Sequence, residues 1–219
     1  MRRKTPLPVT LLYCHDALCG WCYGFSPVLQ SFVAEYAADF TPVAIAGGMI
    51  TGPRIGPIGE VAPYIKTAYR DVERRTGVTF GEGFLRGVLE EGTTVFTSIP
   101  PARALAALKT LAPDRQLTFA HRVQTAIYHT GIDPSDEDAY AEIATDLGVD
   151  EAAFRQSYTS TDSQTVAERD FALCRQLGVT GFPTVVLAAG DRAVAIARGY
   201  VPRATLVQNY LAGKRELAG

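Results

Sequence analysis

The first fifth of the chain combines two spacings of apolar residues. A short apolar run over residues 9–14 is typical of a buried strand. After a two-residue turn, apolar side chains recur at three- and four-residue steps from Trp21 to Tyr36, which predicts an amphipathic helix with a kink or restart at Pro27. A second apolar run at 41–46 predicts another strand. The chain therefore begins with a strand-helix-strand unit, which should have parallel strands and a right-handed crossover.

The middle of the chain lacks strand-like alternation. Residues 47–59 are dense in Gly and Pro, so we expect no regular structure there. From about residue 63 to residue 158 the apolar spacing is helical, and the start signals are Ser135 with an acidic residue three positions later, and Asp150. This pattern predicts an all-helical insert.

Strand signals return after one more helix. Thr161 with Gln164 predicts a capping box that opens a helix ending at Gly178. Apolar runs at 184–187 and 193–197, separated by a Gly-Asp turn, predict a hairpin, and Pro202 precedes a final helix.

Composition places the chain among ordinary soluble globular proteins. Hydrophobic residues make up 47% and charged residues 20%, which excludes disordered and collagen-like classes. The 21 Lys and Arg residues against 23 Asp and Glu residues give a net charge of −2. Nothing here would attract nucleic acid or an anionic membrane, and no apolar run approaches the roughly 18 residues that cross a bilayer. We expect neither as a partner.

The N-terminus carries basic residues at positions 2–4, as a secretion signal does. Pro6 and Pro8 interrupt the short apolar stretch that follows, and no small-residue cleavage site precedes Cys19. This pattern predicts a cytoplasmic protein.

Cys19 and Cys22 lie where the first predicted strand passes into the first predicted helix. Their spacing places both sulfurs on one side of the first helical turn, so that they can close a small disulfide. The helix dipole and unpaired backbone N–H groups favour the thiolate at Cys19, and the thiolate is the attacking species. We predict that Cys19 is the nucleophile and Cys22 the resolving thiol.

A zinc half-site and a pair of inert thiols are the other interpretations. Structural zinc needs a second Cys or His pair at similar spacing. Cys14 and Cys174 are single and far apart in the sequence, and His121 and His129 have no companion ligand on their predicted helices. The sequence thus favours a redox dithiol that uses no metal and no cofactor, with Cys14 and Cys174 filling the core.

The stretch Gly181-Phe182-Pro183-Thr184 precedes a strand that should be central in the sheet. A cis peptide before Pro183 would turn the preceding backbone outward, where it could pair with an extended substrate. A trans proline that starts the strand is the alternative. Because a dithiol lies upstream, we predict the cis form, and we assign Phe182, Pro183 and Thr184 to substrate binding.

Aromatic side chains near the dithiol are further candidates. Trp21, Tyr23 and Phe182 would surround the sulfurs with apolar area that suits loose contact with partly unfolded chains, although Tyr23 and Phe182 could equally belong to the core. We assign Trp21 to substrate binding as well. His15 and Asp16 are candidate modulators of the thiol pKa or relays for a proton, and capping the helix is their alternative role.

The segments 16–25 and 177–184, in this order and with a helical insert between them, resemble the DsbA family of the thioredoxin superfamily, most closely its FrnE-like subgroup. The resemblance covers nearly the whole chain. It implies an α/β thioredoxin-like fold with a four-stranded mixed sheet, formed by residues 1–58 and 159–219 and interrupted by a helical insertion domain at 59–158.

The same resemblance implies thiol–disulfide exchange at Cys19, with Cys22 as the buried partner and Pro183 as the cis proline. Two departures from the family pattern matter. Tyr13 occupies the position of a buried carboxylate that assists proton transfer, and Trp21 replaces the histidine of the strongly oxidising members. We therefore expect a reduction potential between roughly −270 and −120 mV.

The expected function is a thiol–disulfide oxidoreductase or isomerase that acts on protein thiols and disulfides, with glutathione or another low-molecular-weight thiol as a further partner. One alternative is a glutathione-dependent transferase or an enzyme like 2-hydroxychromene-2-carboxylate isomerase, whose members typically carry serine at the position of Cys19. Another is a non-catalytic binding module that keeps the fold as a scaffold.

Overall fold

The computed structural model describes residues 8–218 of the chain. The basic residues 2–4 and Pro6, which entered the prediction of a cytoplasmic protein, lie outside them. The strands are β1 (Thr10–His15), β2 (Thr41–Ala46), β3 (Gly56–Pro57), β4 (Val95–Phe96), β5 (Thr184–Ala189) and β6 (Arg192–Arg198). The α-helices are α1 (Gly20–Glu35), α2 (Ala62–Thr76), α3 (Ile99–Leu111), α4 (Gln116–Thr125), α5 (Glu137–Asp146), α6 (Glu151–Thr159), α7 (Thr161–Gln176) and α8 (Arg203–Ala218).

Four of these strands form the main sheet, in the order β2-β1-β5-β6. β1 pairs parallel with β2 and antiparallel with β5, and β5 pairs antiparallel with β6. The predicted mixed four-stranded sheet is therefore confirmed. The site lies at the C-terminal end of β1, where the chain turns directly into α1.

Side chains of β1 alternate between the two faces of the sheet, as a strand buried on both sides requires. Leu11 and Tyr13 pack with α1 and α8, in a core cluster that includes Phe25. Cys14 faces the opposite side and packs with Cys174 of α7. A third and larger cluster fills the helical region between β2 and α7.

The outer edge of β2 is covered by side chains from the helical region rather than by another strand. Gln116 accepts from the Ala44 N–H at 2.8 Å and donates to the Pro42 carbonyl at 3.2 Å. Lys109 donates to the Ala44 carbonyl at 3.0 Å. Asp170 accepts from the Ala46 N–H at 3.1 Å and pairs with Lys109 at 2.9 Å. These bonds satisfy backbone groups that would otherwise be a template for edge pairing.

Several local predictions need correction. A single helix runs from Gly20 to Glu35, so it does not restart at Pro27, which lies on its exposed side. The Gly- and Pro-rich segment contains short 3-10 turns, and its strand β3 pairs with β4 inside the region predicted to have no strands. The cap of α5 is Asp136 instead of Ser135, and the cap of α7 is Ser160 instead of Thr161. The predicted Asp150 cap is confirmed.

Two segments, Gly83–Glu90 and Ala126–Thr130, are π-helical. They pack so closely that a Cβ on Gly83 would lie 1.9 Å from the Thr130 carbonyl oxygen. Only glycine fits at such an approach. Within residues 8–218, no helix has the length and apolarity needed to cross a membrane.

Candidate active site at the Cys19 and Cys22 dithiol

Cys19 is the N-cap residue of α1, with extended backbone (φ −101°, ψ 108°). Its carbonyl accepts the first bonds of the helix, from the N–H groups of Cys22 at 2.9 Å and Tyr23 at 3.1 Å. This turn brings the two thiols into hydrogen-bonding contact, and both are free. Cys19 is 7% exposed and Cys22 is fully buried, so a substrate can reach only Cys19 without a rearrangement.

Burial raises the pKa of the Cys22 thiol well above its usual value, and the neighbouring Cys19 raises it further. Cys22 therefore remains protonated at neutral pH. The Tyr13 hydroxyl donates to the Cys22 carbonyl at 3.4 Å, and burial raises the pKa of Tyr13 as well. Tyr13 consequently cannot serve as the proton acceptor that a carboxylate at its position would provide.

The loop before β5 meets the dithiol. The Phe182–Pro183 peptide bond is cis. The Cys19 thiol donates to the Phe182 carbonyl oxygen at 3.5 Å. The Phe182 ring packs in the cluster around Cys14 and Cys174, against Gly47, where a Cβ would lie 2.3 Å from the ring. Phe182 thus contributes its carbonyl to the site, while its ring packs in the cluster of Cys14 and Cys174.

Of the other candidate residues, Trp21 lies at the site, whereas Tyr23 and Thr184 are buried. Trp21 lies beside Cys19 on the wall of a cavity. Tyr23 is buried in the helical core, where its hydroxyl donates to the Thr79 carbonyl at 2.9 Å and its ring stacks on Tyr128. Thr184 is buried, and its hydroxyl donates to the Gly181 carbonyl at 2.8 Å, which is a contact within the loop before β5.

Asp16 joins the dithiol turn to two other segments. Its buried carboxylate accepts from the N–H of Leu18 at 3.0 Å, the N–H of Met49 at 2.7 Å and the hydroxyl of Ser98 at 3.0 Å. Gln124 donates to its main-chain carbonyl at 3.1 Å. Burial raises the pKa of Asp16, and these hydrogen bonds oppose the rise. Asp16 therefore fixes the loop after β2 relative to Cys19.

His15 is buried and stacks on the Tyr13 ring, with ring centroids 4.8 Å apart. Neither of its ring nitrogens has a hydrogen-bond partner among the described residues. Burial, with a smaller contribution from Lys109, lowers the pKa of His15 to about 3. The imidazole is therefore neutral throughout the physiological pH range and carries no charge that could stabilise the Cys19 thiolate.

Cys14 and Cys174, far apart in the sequence, are neighbours in the fold. Both are buried in the cluster on the α7 side of the sheet, where each is a hydrogen-bonding partner of the other. That contact lowers the pKa of Cys14 and raises that of Cys174. The sheet separates this pair from α1 and the dithiol.

An apolar cavity of about 290 Å³ opens beside Cys19. Its walls come from α2, the dithiol turn and the loop after β2, which contributes Met49 and Ile50. No Asp, Glu, Lys, Arg or His lines it among the described residues. The same part of the chain contains no group of three or more Cys, His, Asp or Glu residues arranged to hold a metal ion. The contribution of α2 to the site was not predicted, because nothing in its sequence refers to the distant dithiol.

Comparisons with known proteins place this geometry in a family. A model of the DSBA-like thioredoxin domain matches residues 10–210. The chain is similar to a Nitrosomonas europaea protein provisionally described as a protein disulfide isomerase, with TM-score 0.83, 25% identity and coverage of 95% of this chain and 98% of that one. It is also similar to the cytosolic disulfide reductase DsbM from Pseudomonas aeruginosa, with TM-score 0.77, 27% identity and coverage of 95% and 99%. DsbM has also been solved with glutathione.

Two more distant proteins share less sequence with this chain. The ClpXP adapter protein SpxH from Halalkalibacterium halodurans is 23% identical over 84% of this chain, and the chain spans only 60% of the length of that relative. A 2-hydroxychromene-2-carboxylate isomerase shares the fold, with TM-score 0.62, 18% identity and coverage of 94% and 95%. The FrnE-like subgroup stays a prediction. Because the family model spans most of the chain, the protein belongs to the DSBA-like thioredoxin domain family.

Proposed function

We propose that this protein is a thiol–disulfide oxidoreductase that acts on protein disulfides through a mixed disulfide at Cys19. The observation that carries the proposal is the meeting of two segments distant in sequence. The Cys19 thiol lies 3.5 Å from the carbonyl that precedes the cis proline, with the buried Cys22 thiol in contact behind it. Disulfide exchange requires an attacking sulfur and a resolving sulfur, and the backbone beside Pro183 can hold an extended substrate against them.

The exchange proceeds in two displacements. The Cys19 thiolate attacks one sulfur of a substrate disulfide, the substrate S–S bond breaks, and the leaving thiolate takes a proton from water. Cys22 then loses its proton and attacks the Cys19 sulfur, which expels the second substrate thiolate and leaves a Cys19–Cys22 disulfide. One substrate disulfide is reduced to two thiols and one protein dithiol is oxidised, and the reverse sequence oxidises a substrate dithiol.

The second displacement requires deprotonation of Cys22, whose pKa is raised. A hydrogen bond with the Asp16 backbone lowers the pKa of Cys22, and the negative charge of Asp16 raises it by a smaller amount. Asp16 therefore stays a proposed modulator of the resolving thiol, whereas the neutral His15 does not act through charge.

The partners and location follow from the same reasoning. An extended segment of a substrate protein can pair with the backbone beside Pro183. The glutathione complex of DsbM supports a low-molecular-weight thiol as electron donor or acceptor. The description of DsbM as cytosolic supports the proposed cytoplasmic location. We also retain residues 1–58 and 159–219 as the proposed thioredoxin-like domain and 59–158 as the proposed insertion.

A trapping experiment tests the proposal. Reduced Cys22→Ser protein, incubated with a reducible model protein disulfide, should accumulate a covalent adduct that dithiothreitol releases and whose linkage maps to Cys19 by peptide mass. Cys19→Ser protein is the matched control and should form none. Equal adduct formation by both variants, or none by either, would contradict the mechanism.

A non-catalytic adapter is the second candidate, because the curated relative SpxH is described as an adapter protein. An adapter would bind its partner with Cys19→Ser as tightly as with the native residue and would never cycle its dithiol. The isomerase alternative receives support only from a shared fold, and the intact cysteine at position 19 departs from the serine expected of those enzymes.

A further inference from the structure

Arg75 is an exposed cation beside Trp21, and no acidic side chain pairs with it among the described residues. It lies in the last turn of α2, and its guanidinium lies over the Trp21 ring, with Cζ 5.2 Å from the ring centroid. Tyr200 lies on the same cation, with its ring centroid 6.0 Å away. Within residues 8–218, Arg75 makes no ion pair with a carboxylate. Its neighbour Arg74, in contrast, pairs with Asp71 at 2.7 Å.

In this position the guanidinium N–H groups of Arg75 remain available to a ligand. A guanidinium that lies on aromatic faces keeps its N–H donors at the edge of its plane, where they can bind a carboxylate in a two-point contact. Glu73, a nearby acid on the same helix, accepts from the Phe80 N–H at 2.8 Å through Oε1, and it forms no ion pair with Arg75 within residues 8–218.

Arg75 is linked to Cys19 through Trp21. Trp21 lies between the two cysteines in sequence and forms part of the wall of the cavity beside Cys19. The cavity lining contains no charged residue, so the cation over the indole lies beside an apolar surface. The whole chain has a net charge of −2, so this cation is a local feature and not part of a general positive field.

We propose that Arg75 and the cavity form a subsite for low-molecular-weight disulfides that carry a carboxylate. The inference rests on the proposed function, because the ligand must present its disulfide to Cys19. The carboxylate binds the Arg75 edge, the apolar part of the ligand lies against Trp21 and α2, and the disulfide reaches the Cys19 sulfur. The reaction is the exchange described above: the ligand is reduced to two thiols and the Cys19–Cys22 pair is oxidised.

Disulfides of different charge test this subsite in a single turnover. Fully reduced protein is mixed at pH 7 with glutathione disulfide (net anionic), hydroxyethyl disulfide (neutral) or cystamine (cationic). Trp21 is the only tryptophan in the chain, so its fluorescence reports the reaction at the dithiol, and alkylation with mass measurement checks the product. The measured quantity is the ratio of second-order rate constants, anionic over neutral disulfide.

We expect Arg75→Gln to lower this ratio about tenfold and Arg75→Glu to invert the preference toward cystamine, since one charge-assisted contact is worth about that factor. Arg75→Lys, which keeps the charge without the planar fork, should retain part of the ratio. Arg74→Gln, the matched control one residue away, should leave it unchanged. Added salt should reduce the native ratio, because the contact is exposed.

The outcomes separate this inference from the proposed function. An unchanged ratio in Arg75→Gln, or an equal slowing with all three disulfides, would overturn the subsite while exchange at Cys19 stands. If no disulfide of any charge oxidised the native dithiol, the proposed function itself would fail. Circular dichroism and thermal unfolding serve as the control that each variant is folded.

Discussion

His15 makes the stability of this protein depend on pH in a way that one substitution can isolate. The imidazole is 4% exposed, stacks face to face on Tyr13 and has no hydrogen-bond partner for either nitrogen among the described residues. Protonation would place an unpaired charge in the core, close enough to Lys109 to be repelled. His15→Phe keeps an aromatic ring for the stack and removes the titrating group.

The magnitude follows from the two pKa values of His15. The pKa is about 3 in the folded state, against 6.5 in the unfolded chain. At pH 7 both states are neutral and the group contributes almost nothing. As the pH falls below 6.5, His15 binds a proton in the unfolded chain but stays neutral in the folded protein, so the free energy of unfolding decreases. Between pH 7 and pH 4 the loss amounts to about 3 kcal/mol.

Urea unfolding of the reduced protein at pH 7, 6, 5 and 4 measures this effect. Carboxylates titrate in the native and variant proteins alike, so the difference between their free energies of unfolding isolates His15. We expect His15→Phe to gain about 3 kcal/mol relative to the native protein between pH 7 and pH 4. His129→Gln, at an exposed position, is the matched removal of a histidine. Parallel curves for native and His15→Phe proteins would refute the reasoning.

Three further substitutions have expected outcomes. Lys109→Met leaves the buried Asp170 carboxylate without its cation and should lower the free energy of unfolding by about 3–5 kcal/mol. Lys109→Met combined with Asp170→Asn, which keeps an oxygen acceptor for the Ala46 N–H, should recover part of that loss, and equal losses in the single and double variants would argue against a charge effect. Gly47→Ala places a Cβ 2.3 Å from the Phe182 ring, so it should lower the free energy of unfolding by about 1–3 kcal/mol and slow dithiol oxidation. An unchanged oxidation rate would show that the loop before β5 tolerates a displacement of the Phe182 ring. Tyr13→Phe removes one hydrogen bond to the Cys22 carbonyl and should cost about 1 kcal/mol in urea unfolding; a much larger loss would contradict so weak a role.

Apolar patterns predicted the elements that are long enough to show one. The strands β1, β2, β5 and β6 were visible as apolar runs, and the helix α1 was visible through its three- and four-residue apolar spacing. The two-residue strands β3 and β4 are too short to carry any period. The π-helical segment Gly83–Glu90 depends on a close backbone approach to Thr130, which no local pattern announces.

The site was predictable where its chemistry is local and not where it depends on tertiary contact. Cys19 and Cys22 stand close together in the sequence, and the start of α1 at this pair follows from the same stretch. The carboxylate of Asp16 could be recognised as a candidate, but its bonds to Met49 and Ser98 join positions that only folding brings together. The orientation of the Phe182 ring likewise could not be predicted from adjacent residues in the sequence, because the ring packs against the distant Gly47.

The central claim is that Cys19 and Cys22 form a cycling dithiol, and a redox titration tests it most directly. The protein is equilibrated in glutathione buffers, alkylated and weighed by mass spectrometry, in a background with Cys14 and Cys174 replaced by alanine. The account predicts one two-electron transition with a midpoint between roughly −270 and −120 mV, abolished by Cys19→Ser. Two thiols that stay reduced across all buffers, or a transition that persists in Cys19→Ser, would contradict it.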